Sequence, residues 1–250
     1  VGSTRSSPWS ARSVAMPSSV DLRLAWCSYE AARFACSAFH YSRAVPAGKM
    51  VKIGVWESSA FRGVVIFSRG NSPNIGRPYG LAQTEVCELT RVALAPHWSA
   101  TSRIIAIALR MLRRQSPGVK LLVSFADPRE GHHGGIYQAG GWLYVGLTGR
   151  ECLLRLHGRP IHPRSVSSRW GCRDLAWLRR HVDADAERIV LPAKHKYVFP
   201  FDAELRAQLL PLVRPYPQRE RSAESGTLAT SQKGHCDVTR SLQIREGSHG

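Results

Sequence analysis

The spacing of apolar residues switches repeatedly between period two and period three to four along the first 150 positions. That switching predicts a mixed α/β domain. Asp21–Trp26 (DLRLAW) alternates as a short strand does. Ser28 is placed to cap a helix through YEAARFACSAFHYS, whose Ala31, Phe34, Ala35 and Ala38 share one face. A Pro–Gly turn at 46–48 separates it from Lys49–Glu57 and Phe61–Ser68, which read as an antiparallel hairpin. After a Gly-rich loop at 70–80, Glu85–Leu94 reads as a strand. A helix then runs to Arg114, capped by Thr101 or Ser102, with Ile104, Ile105, Ala108, Leu109 and Leu112 on its inner face. Val119–Phe125 is a buried strand, Gly134–Gly140 a short helix and Trp142–Leu147 a further strand.

Beyond residue 150 the pattern is interrupted by charges. It predicts a helix within Cys172–Val182, a strand at His195–Phe199 and a helix over Asp202–Leu210 capped by Asp202. Four regions follow: a Ser-rich disordered segment at 1–20, a core at 21–149, an extension packed on it at 150–217, and a polar disordered tail at 218–250.

Composition then narrows the function classes. Lys and Arg number 35 against 18 Asp and Glu, a formal net charge of +17. The excess lies in the body, with twelve cationic against five acidic residues over 47–149 and thirteen against seven over 150–216. A folded cationic surface points to a polyanionic partner such as nucleic acid. Six cysteines show no CxxC pair and no dense framework, so they read as reduced thiols of a cytoplasmic protein. No apolar run reaches the ~18 residues of a membrane span. The first residues lack the apolar stretch of a signal peptide.

Candidate chemistry clusters after the strand at 85–94. A strand–loop–helix junction offers free backbone N–H groups to an anion. Here the loop carries Ser99, Thr101, Ser102 and Arg103 in place of glycines, alongside an aromatic Trp98. Ser124, Asp127, His132 and His133 lie at or just past the end of the buried strand, where open α/β sheets bind ligands. Asp127 reads equally as a general base, a metal ligand or a turn former before Pro128. Tyr137, ahead of Gly140-Gly141-Trp142, is placed as an acid for a leaving thiolate or as packing. His40-Tyr41 closes the first helix.

Taken together, His40-Tyr41-Ser42, Gly54-Val55-Trp56-Glu57, Glu88-Leu89-Thr90-Arg91-Val92, Ser124-Phe125-Ala126-Asp127 with Gly131-His132, and Tyr137-Gln138-Ala139 through Trp142 and Gly146 resemble the Mom family of phage DNA modification proteins. Lys194–Tyr197 and Pro215-Tyr216-Pro217 resemble its C-terminal region. The resemblance implies a GNAT-like acyl-CoA N-acyltransferase fold, a mixed twisted sheet flanked by helices with a basic C-terminal extension. It implies conversion of adenine in double-stranded DNA, the base flipped out, to N6-carbamoylmethyladenine, which shields phage DNA from restriction in the host bacterial cytoplasm. It makes His40, Tyr41, Arg91, Asp127 and Tyr137 the functional residues, with His40, Tyr41, Asp127 and Tyr137 in catalysis, while the strand–loop–helix reading sets Arg91, Ser99, Thr101, Ser102, Arg103 and Ser124 around acetyl-CoA.

Joining an acetyl methyl carbon to nitrogen removes two electrons, so iron held by His40, Asp127 and His132 or His133 is a further expectation. Trp98 and Tyr79 are stacking candidates for the extruded base. Two other readings share this sequence: an ordinary N-acetyltransferase acting on a protein or small amine, and a non-catalytic DNA-binding protein on a transferase scaffold. Oligomeric state is open, a homodimer among the options.

Overall fold

The computed structural model describes residues 21–218 apart from residue 71. The expected disorder at 1–20 and along the tail after 218, and Cys236, lie outside the described residues. Ten strands and six α-helices are present among them. The strands are β1 (Leu22–Trp26), β2 (Met50–Glu57), β3 (Ala60–Ser68), β4 (Val86–Leu94), β5 (Leu121–Ala126), β6 (Leu143–Leu147), β7 (Glu151–Leu156), β8 (Arg159–Ile161), β9 (Glu187–Leu191) and β10 (His195–Pro200). The helices are α1 (Tyr29–Phe39), α2 (Thr101–Gln115), α3 (Gly135–Ala139), α4 (Pro163–Trp170), α5 (Leu175–His181) and α6 (Ala203–Leu209).

A seven-stranded mixed sheet in the order β1-β2-β3-β4-β5-β10-β6 forms the body. Its pairs are antiparallel except β4 with β5. One face carries α2, whose Ile104, Ile105, Ala108, Leu109 and Leu112 all pack into a core with Ile53, Val65, Phe67, Leu122 and Trp142. Burying each of these aliphatic side chains stabilises the fold by about 1.5–3 kcal/mol relative to exposure. The other face carries α1 over Val64, Ile66 and Ala93, and α6 over Val123, Leu143 and Val198. Ser28 caps α1 as read from sequence. The cap of α2 is Ala100, however, and Thr101 and Ser102 sit inside its first turn. The Ala100 carbonyl already accepts from Arg103 and Ile104, which starts the helix one residue early.

Two departures from the sequence reading matter for function. Strand β4 carries a bulge: Ile66 pairs with Arg91 and Phe67 with Leu89, leaving Thr90 extra. A bulge bends its strand. Consistently, β4 and β5 pair only from Val86–Leu121 to Glu88–Val123, then diverge while β5 stays paired to β10 to its end. The parallel pair therefore opens as a V towards its carboxyl ends.

The second departure concerns the region after residue 150. It is not an appended extension. Strand β10 returns to the middle of the main sheet, between β5 and β6. Residues 148–194 are instead an insertion between β6 and β10. They form a three-stranded sheet, β8-β7-β9, covered by α4 and α5. It has its own core of Leu154, Leu156, Val166, Leu178 and Ala186. Among the described residues no helix is long and apolar enough to cross a membrane.

Candidate active site

The V between β4 and β5 opens into a cavity of about 1130 Å³. Small-molecule sites are of this order of size. His40 and Tyr41 reach it from the end of α1, and Arg91 from the bulged part of β4. Asp127 and His132 come from the loop after β5, and Tyr137 from α3 on the opposite sheet face. The divergence of the strands is what lets side chains from both faces meet. The inserted module supplies a further wall through Glu151, His162, Arg164 and Lys194.

Tyr137 is buried, and burial pushes its hydroxyl up to about 12. Its ring is held by Trp142 and Tyr197 at centroid distances of 5.2 and 5.1 Å. The hydroxyl lies 2.8 Å from Ser124 Oγ, which is also 2.8 Å from the Leu89 carbonyl. A carbonyl only accepts, so the single serine proton goes to Leu89 and the tyrosine donates to the serine. Leu89 is the first β4 residue past the last pair with β5, and Ser124 satisfies its carbonyl where the strands part. The tyrosine proton is thereby stored at the apex of the V.

Gly134 makes this arrangement possible. It sits at φ +90°, and a Cβ there would overlap the Tyr197 ring, whose hydroxyl donates to the His133 carbonyl at 2.6 Å.

Asp127 is 2% exposed. It caps the short helical turn at 128–130 by accepting from the Arg129 amide, and it accepts a two-pronged contact from the Arg129 guanidinium at 3.1 and 2.7 Å. Lys194 approaches to 3.8 Å. Burial pushes the carboxyl up, but the Arg129 hydrogen bonds and the charges of Arg129 and Lys194 outweigh it and hold it below the usual carboxylate range. So Asp127 is an ionised anchor and a weak base.

The His40 ring stacks on Tyr41 at 4.2 Å, and Tyr41 meets the edge of His132 at 5.8 Å. The Ser42 amide donates to His40 Nδ1, so the neutral ring carries its proton on Nε2. Burial, with the nearby Arg91 and His132, lowers His40 to about 4. Arg91 donates to the carbonyls of Ala44 and Thr90, which pins the loop after α1 to β4.

A pH prediction follows for His40. Its folded value lies below its ordinary 6.5, so the unfolded chain binds more protons between about pH 4 and 6.5. This contribution to stability is complete above pH 6.5 and is lost as pH falls towards 4. In a proton NMR titration the His40 ring signal is expected to move near pH 4. A midpoint near 6.5 would contradict the buried, backbone-bonded ring.

The metal set expected from sequence is not assembled. Among the described residues no group of three or more His, Cys, Asp or Glu is arranged to hold a metal ion. Both Asp127 oxygens are engaged by Arg129, and His40 Nδ1 is engaged by Ser42.

The expected acetyl-CoA phosphate site also does not fit. Ser99, Thr101, Ser102 and Arg103 do not line the large cavity. The Trp98 and Ser99 amides donate to the buried Glu57 carboxylate at 2.9 and 2.7 Å, and Thr101 Oγ1 pairs with His97 Nε2 at 3.0 Å. A resident carboxylate thus takes the amides that an anion would need. Ser102 faces a separate groove of about 480 Å³ along α2, with Arg110, Arg113, Trp142 and Phe199.

Sequence reading missed Arg129, and it singled out Glu57, Lys194 and Tyr197 only within family-like segments, with no role at the site. Asp127-Pro128-Arg129 did carry a signal, since an Asp before a Pro at a first helical position is a cap. Tyr79, the stacking candidate, is partly buried against Val86 and Leu121 beyond the main site. Trp98 is 43% exposed and lies outside the cavity lining.

Comparison with known proteins bears on this geometry. A family model described as the Mom protein family matches residues 21–218. The methylcarbamoylase Mom of Escherichia phage Mu is 28% identical over 211 residues, covering 80% of this chain and 85% of that protein. Among solved structures, FeeM, an N-acyl amino acid synthase from uncultured soil microbes, matches at 13% identity and a TM-score of 0.40, covering 77% of this chain and 95% of that one.

Proposed function

The chain belongs to the Mom protein family, and on that premise we propose that it is a GNAT-like transferase that converts adenine in double-stranded DNA to N6-carbamoylmethyladenine. The observation that carries the reading is the shared cavity: His40, Tyr41, Arg91, Asp127, His132 and Tyr137, distant in sequence, all line one space. The parallel β4–β5 pair that opens as a V is the feature of the sheet that supports a GNAT-like core. In a phage setting the modification serves against host restriction, in the bacterial cytoplasm.

The work of this chain's residues is limited and specific. In a substitution by the adenine N6 amine, the N6–carbon bond forms as the bond from that carbon to its leaving group breaks; the leaving group departs with the electron pair and takes up a proton, and N6 releases one. Tyr137 holds a proton at any pH below about 12 and lines the cavity, which supports it as the donor to that group once its bond to Ser124 is exchanged. His40 offers its Nε2 proton as a hydrogen bond. Asp127 fixes Arg129 and Lys194 at the cavity mouth. Withdrawing a base from the stack costs a few kcal/mol, which cationic contacts to phosphates offset. Building the N–CH2 bond from an acetyl unit would in addition remove two electrons. The cavity residues supply no acceptor for them, so a separate two-electron oxidant is required on that route.

Nucleoside mass spectrometry of DNA from cells expressing the chain tests the proposal. We expect an adenine nucleoside heavier by about 57 Da, the mass of a carbamoylmethyl group. Asp127→Ala is expected to lower its yield at least about 100-fold, because Arg129 and Lys194 lose their anchor. Unmodified adenine in DNA exposed to the wild-type protein would overturn the reading, as would a gain of about 42 Da, the mark of plain acetylation.

A further inference from the structure

The inserted module at 148–194 does nothing for the main sheet. It has a separate core, and its two ends are closed together by a hydrogen bond from the Thr148 amide to the Lys194 carbonyl and one from the Lys194 amide to Thr148 Oγ1, each 2.9 Å. It nevertheless stands at the cavity, lining it with Glu151, His162 and Arg164. Its ends are further tied to the catalytic loop by Lys194, which lies 3.8 Å from Asp127 and 3.6 Å from Glu151.

Its charges are unevenly spent. The module holds nine Arg and one Lys against five acids. Asp174 caps α5, Asp183 accepts from the His157 and Asp185 amides, Glu187 pairs with Arg155, and Glu151 faces His162 and Lys194. Arg159, Arg164, Arg169, Arg173, Arg180 and Arg188 are exposed, and none is within salt-bridge distance of a carboxylate among the described residues. Acids are used to build the module, and arginines are left on its surface. Arginine presents a fork matched to phosphate oxygens.

We propose that this module is a clamp for the backbone of double-stranded DNA, holding phosphates beside the base that enters the cavity. The proposal rests on the adenine-modification reading for its choice of polyanion. Arg164, which lines the cavity, and the exposed Arg159 and Arg169 of the same β8–α4 segment are the contacts. Phosphate contacts position a duplex without reading its sequence, so the clamp sets register and leaves base choice to the cavity.

The test compares three full-length variants with wild type in binding to a duplex of mixed sequence across a salt series. Each lost phosphate contact reduces the slope of log affinity against log salt by about 0.9. Arg159→Gln/Arg164→Gln/Arg169→Gln is expected to reduce it by about 2.7. The corresponding triple Lys variant should restore most of the slope. Arg110→Gln/Arg114→Gln, exposed on α2 outside the module, should leave it unchanged. Equal slope losses for the module and α2 variants, or none for the module variant, would overturn the clamp. Adenine modification is scored separately by nucleoside mass. A wild-type protein that binds through the module yet leaves adenine unaltered refutes the functional reading and not the clamp.

Discussion

Replacing Tyr137 by Phe is expected to leave the fold intact and to lower adenine modification by about 100- to 10,000-fold, the range supplied by a positioned general acid. The ring contacts to Trp142 and Tyr197 survive, because they involve no oxygen. Ser124 keeps its bond to the Leu89 carbonyl, so no buried donor is stranded. The lost hydrogen bond costs stability only about 1 kcal/mol. The loss should fall on kcat with little change in KM, since the hydroxyl matters when the leaving group departs. The wild-type rate should also show no break from this tyrosine between pH 7 and 10, because burial keeps its proton in place up to about 12. A Phe variant within threefold of wild-type kcat would make Tyr137 a packing residue and remove the proton donor from the apex of the V.

The parts of this molecule that sequence revealed are those where one side chain pattern has one physical cause. α2 is legible because its five inward residues repeat at helical spacing against a single sheet face. The β2–β3 hairpin is legible because its strands are long and closed by a tight turn. The inserted module is not. Strand β8 has three residues, too few to show a period, and β9 alternates Glu187, Ile189 and Leu191 with Arg188 and Val190 on a sheet partly exposed on both sides. Nor does local sequence say that β10, some fifty residues after β6, enters between β5 and β6, since only pairing across the whole sheet fixes that order.

The site shows the same division. His40, Asp127 and Tyr137 stand out because polar groups beside apolar runs are conspicuous. Arg129 and Lys194 look like ordinary solvated charges until the loop after β5 folds Asp127 against them. The metal expectation arises for a related reason: a count of nearby His and Asp does not reveal that an arginine two residues on engages the carboxylate.

Glu57→Ala is expected to cost about 2–4 kcal/mol, because it strips the Trp98 and Ser99 amides of their acceptor and removes the carboxylate that faces Arg62. The carboxylate, 1% exposed, accepts from the Trp98 and Ser99 amides and lies 3.7 Å from Arg62 Nε. It therefore joins the β2–β3 turn to the loop that launches α2. For a chain of this length such a loss lowers the melting temperature by about 4–16 °C, at roughly 2–4 °C per kcal/mol. Glu57→Gln should not rescue it, since one of the two amides would then face an NH2 group and not an acceptor.

Burial pushes the Glu57 carboxyl up, but the Trp98 and Ser99 amides, the Ser99 side chain and the nearby His97 together outweigh it and hold it below the ordinary value of 4.5. Its contribution is therefore present above about pH 4.5 and is lost on further acidification. The Ala variant also has a signature that simple core damage lacks. With the carboxylate gone, the vacated amides at the start of α2 become an anion site, so millimolar phosphate should raise its melting temperature while leaving wild type unaffected. If Glu57→Ala melts within 2 °C of wild type and ignores phosphate, the carboxylate does not occupy this turn in solution, and the turn is free to receive the phosphates of a thioester carrier after all.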